Sequence, residues 1–122
     1  MATIEYRDAV ILSRFGSRMA LLDQKIAKLV AVLDQHAERD WAIANAAGLL
    51  ERLQKREMDA TVSRLAFYRW KAGSVLDHLR YLSSECAPGA LAPYAGPLFD
   101  LSEHARALKR DLDEQAQAKR GN

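Results

Sequence analysis

Residues 4–33, IEYRDAVILSRFGSRMALLDQKIAKLVAVL, decide the fold class. The apolar positions Ile4, Ile11, Phe15, Met19, Leu22, Ile26, Leu29 and Leu33 are spaced in multiples and sums of three and four. At 3.6 residues per turn they stay within an arc of about 100°, which predicts one long amphipathic helix. Gly16 and Ser17 interrupt the composition, but the same face continues on both sides of them, so the helix is expected to run through. The mean step is nearer 3.6 than 3.5, which favours ordinary bundle packing over a long left-handed coiled coil.

Downstream, His36-Ala37-Glu38-Arg39-Asp40 is polar, and Asp40 suits an N-cap for a second helix whose face is expected to carry Trp41, Ala44, Ala47, Leu50 and Leu53. After Gln54-Lys55-Arg56-Glu57 the apolar phase shifts by about 100°, so the chain is expected to bend, turn or change partner near Met58. A third helix is expected over 59–84. Residues 86–97 hold all three prolines and two of the six glycines, and a regular helix is not expected to cross them. A last helix, over 98–114, follows Pro97, with Asp100 and Glu103 at capping-box spacing and Leu98, Leu101, Ala105, Leu108 and Leu112 on its apolar face. The tail 113–122 is polar and is expected to fray.

The expected fold is therefore all-α: an antiparallel bundle of three to four long amphipathic helices, over about 4–36, 40–56, 59–84 and 98–114, in one domain spanning 1–122. The second arrangement is a long helical hairpin with a further helix, since no proline occurs before Cys86. At 122 residues, two separate cores would each be too small to be stable. A composition 49% hydrophobic and 28% charged, with Ala and Leu supplying about a third of the residues, fits a folded helical chain.

Eighteen basic residues against sixteen acidic ones leave a net charge of only +2, too little to pull the whole molecule toward nucleic acid or anionic lipid. Glu5, Arg7, Asp8 and Arg14 interrupt the apolar run that a signal peptide needs, and no stretch reaches the length of a membrane span. A cytoplasmic protein without membrane contact is expected. The single cysteine, Cys86, suits a reducing compartment.

Chemistry-bearing motifs are absent from the sequence. A metal site in a helical bundle uses Glu-x-x-His pairs, whereas His36, His78 and His104 each have an apolar residue three positions upstream. No phosphate-binding glycine loop and no nucleophile motif occurs, so neither catalysis nor a cofactor is expected. Asp100 and His104 are four apart on one helix, the spacing of a surface contact.

Two surface stripes remain. Arg14, Arg18, Lys25 and Lys28 fall on one stripe along the first helix, suited to phosphate contacts or to the solvated flank of a bundle helix. On the third helix, Leu65, Tyr68, Ala72, Val75, Leu76, Leu79 and Leu82 make a full core face, and Phe67, Trp70 and Tyr81 lie on a second face turned about 145° from it, with Ser63, Ser74 and Asp77. Large aromatics among small polar residues on an outward face are expected of a protein–protein contact, because Trp and Tyr bury much area for little rotamer entropy, whereas a helix at the centre of the bundle would bury both faces as core. The expected function is thus a non-enzymatic interaction module that presents Phe67, Trp70 and Tyr81 to a partner protein or a second copy. The alternative is a nucleic-acid-associated protein that uses the basic stripe, or the aromatics Phe67, Tyr68 and Trp70 interleaved with Arg64, Arg69, Lys71 and Arg80.

Overall fold

In a computed structural model, which describes residues 2–35, 41–59, 61–85 and 92–120, the chain is an all-α bundle. Helix α1 spans Ala2–Asp34, α2 Trp41–Lys55, α3 Arg64–Glu85 and α4 Ala95–Arg120, with a 3₁₀ turn at Ala92–Tyr94 before α4. The helices run up, down, up and down. Helix α1 packs against all three others and α3 packs against both α2 and α4, while α2 and α4 occupy opposite sides.

Helix α1 is continuous through Gly16 and Ser17, and from Ile11 onward the expected face is the buried one: Ile11, Phe15, Met19, Leu22, Ile26, Leu29 and Leu33. Facing it are Leu50 of α2, Val75 and Leu82 of α3, and Leu101, Leu108 and Leu112 of α4, each nearly free of solvent contact. Burial of about 2 kcal/mol per aliphatic side chain makes this core the main source of stability.

The phase shift near Met58 marks a break. Helix α2 is about 22 Å long against about 50 Å for α1. It ends level with Asp23, because Lys71 of α3 touches both Asp23 and the Gln54 carbonyl. Helix α3 begins level with Asp8, whose Oδ1 accepts from the Arg64 amide at 3.3 Å. The sequence supplies the punctuation of the break. Asp59 Oδ1 accepts from both the amide and the hydroxyl of Thr61 at 2.8 Å, and Ser63 Oγ accepts from the Ala66 amide at 3.2 Å as the N-cap of α3. The third helix thus starts at Arg64 and not at 59, and Ser63 is a cap, not a member of the outward stripe.

Three further expectations are corrected. Trp41 is not on the core face of α2: that face is Ile43, Ala46, Ala47, Leu50 and Leu53, and Trp41 points away from it at 79% exposure. Repeated steps of three precess by about 60° each, which carries Trp41 some 180° from Leu50. Helix α4 starts at Ala95, with Pro97 in its first turn, where the missing N–H has no intrahelical acceptor to lose. Asp100 and Glu103 are accordingly interior to α4, paired with Lys25 and Arg106. Nor does the helix fray after residue 112: it continues to Arg120 because Leu112 is buried, Ala116 packs against the core and Asp113 is held by two cations. The Asp40 cap, Cys86 and residues 86–91 of the Pro/Gly segment lie outside the described residues.

Candidate protein-interaction surface

Helix α3 carries a core face and an outward face, and their separation follows from its sequence. Leu65, Tyr68, Ala72, Val75, Leu79 and Leu82 are buried on one side. Trp70, 48% exposed, and Tyr81, 38% exposed, project from the other, with exposed Asp77 and half-buried Ser74 between them. The helix is anchored at its start by the Ser63 cap and by Asp8, whose carboxylate also meets the positive end of the α3 dipole.

Phe67 differs from its two companions. It is half-buried against the core, and its ring lies 6.0 Å from that of Trp70 at an interplanar angle of 32°. Phe67 therefore backs Trp70 from the inside, while Trp70 and Tyr81 face outward. The Arg56 guanidinium, from the segment after α2, stands 5.8 Å over the Trp70 ring as a cation–π contact. Arg52 and Lys55, at the end of α2, are also exposed on this flank.

Three of the cations interleaved with these aromatics, Lys71, Arg69 and Arg64, are engaged by other residues of the bundle. Lys71 is only 3% exposed; its Nζ is 2.8 Å from Asp23 Oδ1, donates to the Gln54 carbonyl at 3.0 Å and lies 5.8 Å from the Phe67 ring. Asp23 Oδ1 receives no directed hydrogen bond, so this pairing is electrostatic. Arg69 donates to Asp113 at 2.8 Å, and the Arg64 guanidinium covers the buried Tyr68 ring.

The basic stripe of α1 lies along the seam with α4. Arg14 donates to Gln115 Oε1 at 2.8 Å, Arg18 pairs with Asp111 at 2.9 Å and Lys25 with Asp100 at 2.8 Å; Lys28 is exposed one turn on. These contacts hold the acids ionised. Hydrogen bonding to Arg18 keeps the Asp111 carboxyl below the ordinary carboxylate range, and Lys25 does the same for Asp100. Asp113 is lowered by hydrogen bonds from Lys109 and then Arg69, against the opposing effect of burial. His104 does not pair with Asp100 by hydrogen bond; its Nε2 donates to the Arg18 carbonyl at 2.9 Å and ties α4 to α1.

Two exposed aromatics escaped the sequence reading. Trp41 and Phe99, the latter 67% exposed, are more open to solvent than any member of the nominated stripe. The signal for Phe99 was present, since it lies about 160° from Leu101 on the helical wheel.

Among the described residues no three His, Cys, Asp or Glu side chains converge as metal ligands would, and no helix is long and apolar enough to cross a membrane. What the surface offers is apolar area, nearby cations and the acidic Asp77. Comparison of the chain with models of protein families, with curated proteins and with solved structures gives no match.

Proposed function

We propose that the protein is a helical interaction module that binds another protein, or a second copy of itself, through the Trp70 and Tyr81 face of α3. One observation carries this reading: α3 buries a complete apolar face in the bundle and still presents two large aromatics to solvent on the opposite side. Phe67 supports the surface from beneath and supplies little of its outer area. Rigid aromatic anchors among small residues are the composition of interface hot spots.

The alternative, nucleic-acid association through Arg14, Arg18, Lys25 and Lys28, draws support from their common stripe. It is weakened because Arg18 and Lys25 are already paired with α4 carboxylates, so a phosphate would have to compete with Asp111 and Asp100 for them, while Arg14 is engaged by the Gln115 amide. The two readings separate by salt. Co-purification of partner proteins, including untagged protein with a tagged copy, is compared for wild type and Trp70→Ala at low and high salt. The interface reading expects partners retained at high salt and lost with Trp70→Ala. Partners that persist with Trp70→Ala, together with single-stranded oligonucleotide binding that collapses as salt rises, would favour the alternative.

A further inference from the structure

The outward face of α3 reads Trp70, Ser74, Asp77, Tyr81, at spacings of four, three and four. That order of spacings is the same from either end. At 100° per residue the four positions share an arc of about 60°, and Trp70 and Tyr81 are about 16 Å apart along the axis. A two-fold axis perpendicular to the helix, passing between Val75 and Leu76, would superimpose the position of Trp70 on that of Tyr81 and the position of Ser74 on that of Asp77.

The geometry points to a second copy of this chain as the occupant of the face, packed α3 against α3 in antiparallel register about that axis. This deepens the interface reading above and rests on it. Each Trp70 then lies on Tyr81 of the other copy, so both aromatics are buried twice over, as an isologous contact requires. Each Ser74 lies opposite Asp77, a hydroxyl donor against a carboxylate acceptor. Half-buried Ser74 is also small enough to let the axes approach to the usual 8–10 Å separation.

Charge complementarity favours the same register. Arg56 stands over Trp70, and Asp77 sits one turn from Tyr81. Antiparallel pairing therefore brings the Arg56 of each copy within a turn of the other copy's exposed Asp77 and offsets the approach of the two Asp77 carboxylates near the axis. A parallel pairing would leave both Arg56 groups beside each other at one end and both Asp77 groups beside each other further along, an unfavourable arrangement of like charges.

Cysteine cross-linking tests the register on the full-length chain with the single native cysteine removed by Cys86→Ser. In the antiparallel pair, two copies of position 74 are offset by only about 4–5 Å along the axis, whereas two copies of position 66 are offset by about 28 Å. Mild oxidation is expected to cross-link Ser74→Cys several-fold faster than Ala66→Cys, with circular dichroism confirming that both variants are folded. Arg56→Glu and Asp77→Arg are each expected to weaken the dimer about tenfold or more in sedimentation equilibrium, and the double variant to recover most of the loss. Equal cross-linking at 66 and 74, or no rescue in the double variant, would overturn the register. A wild-type chain that stays monomeric at high concentration while a different protein is lost from Trp70→Ala would overturn the second-copy proposal and leave the interface reading standing.

Discussion

Lys71 Nζ, on a side chain almost wholly removed from solvent, sits 2.8 Å from Asp23 Oδ1 and donates to the Gln54 carbonyl, so one charge from α3 ties α1 to the end of α2. The Gln54 carbonyl belongs to the last turn of α2, where carbonyls lack intrahelical donors, and Lys71 supplies one.

Replacing this lysine by an apolar residue of similar length separates its charge from its packing. Lys71→Met keeps the stem but leaves Asp23 and the Gln54 carbonyl without their cation. A loss of about 1–3 kcal/mol is expected in urea unfolding with an unchanged m-value. Amide exchange should speed up in the last turn of α2 and not in the centre of α1. A variant as stable as wild type would show that the charge contributes nothing net, as happens when some buried ion pairs give way to apolar side chains.

The start of α3 depends on Ser63. Ser63→Ala removes the acceptor for the Ala66 amide and is expected to cost about 1 kcal/mol. Chemical denaturation measures this directly, and an unchanged midpoint would indicate that Asp8 alone suffices to anchor the helix.

Acid sensitivity follows from Asp113, Asp111 and Asp100, whose carboxyls are all held below their ordinary values by cationic hydrogen-bond donors. A carboxyl depressed by folding stabilises the native state above its unfolded value of about 4, and that contribution is lost as pH falls through the folded value. Thermal midpoints should therefore be flat above about pH 5 and fall below about pH 4. Asp113→Asn should melt lower than wild type at pH 7 and converge with it toward pH 2. Parallel curves for the two proteins across that range would show that Asp113 is not among the linked groups.

The three-and-four spacing of Ile11 to Leu33 made α1 legible because a face repeated over about six turns averages out local exceptions. Shorter elements gave less purchase. In α2 a run of steps of three looked like a face although it precesses around the helix, and the error placed Trp41 in the core. The end of α4 was illegible for another reason: Asp113 reads as a polar tail residue until Arg69, forty-four positions earlier, is brought beside it. Partners of that separation leave no local pattern. The same holds for the basic stripe, whose spacing was visible but whose acids on α4 were not. Of the aromatic stripe, the outward placement of Trp70 and Tyr81 followed the helical wheel, while the half-burial of Phe67 against the core depends on tertiary packing. Deleting residues 113–122 is accordingly expected to lower the thermal midpoint measurably, since it removes Asp113 and the packing of Ala116. Unchanged stability would restore the view of that segment as a loose tail.

The central claim, that the outward face of α3 serves assembly and not the internal core, is tested most directly on Trp70. Trp70→Ala and wild type are compared by thermal unfolding and sedimentation at several protein concentrations, with unfolding extrapolated to the monomer because association itself stabilises the fold. A half-exposed interface residue predicts association weakened by about 2 kcal/mol or more, with the monomer losing much less than the 3–5 kcal/mol typical of a buried aromatic. A variant that melts far below wild type yet keeps its assembly state would contradict the account and assign Trp70 to the core.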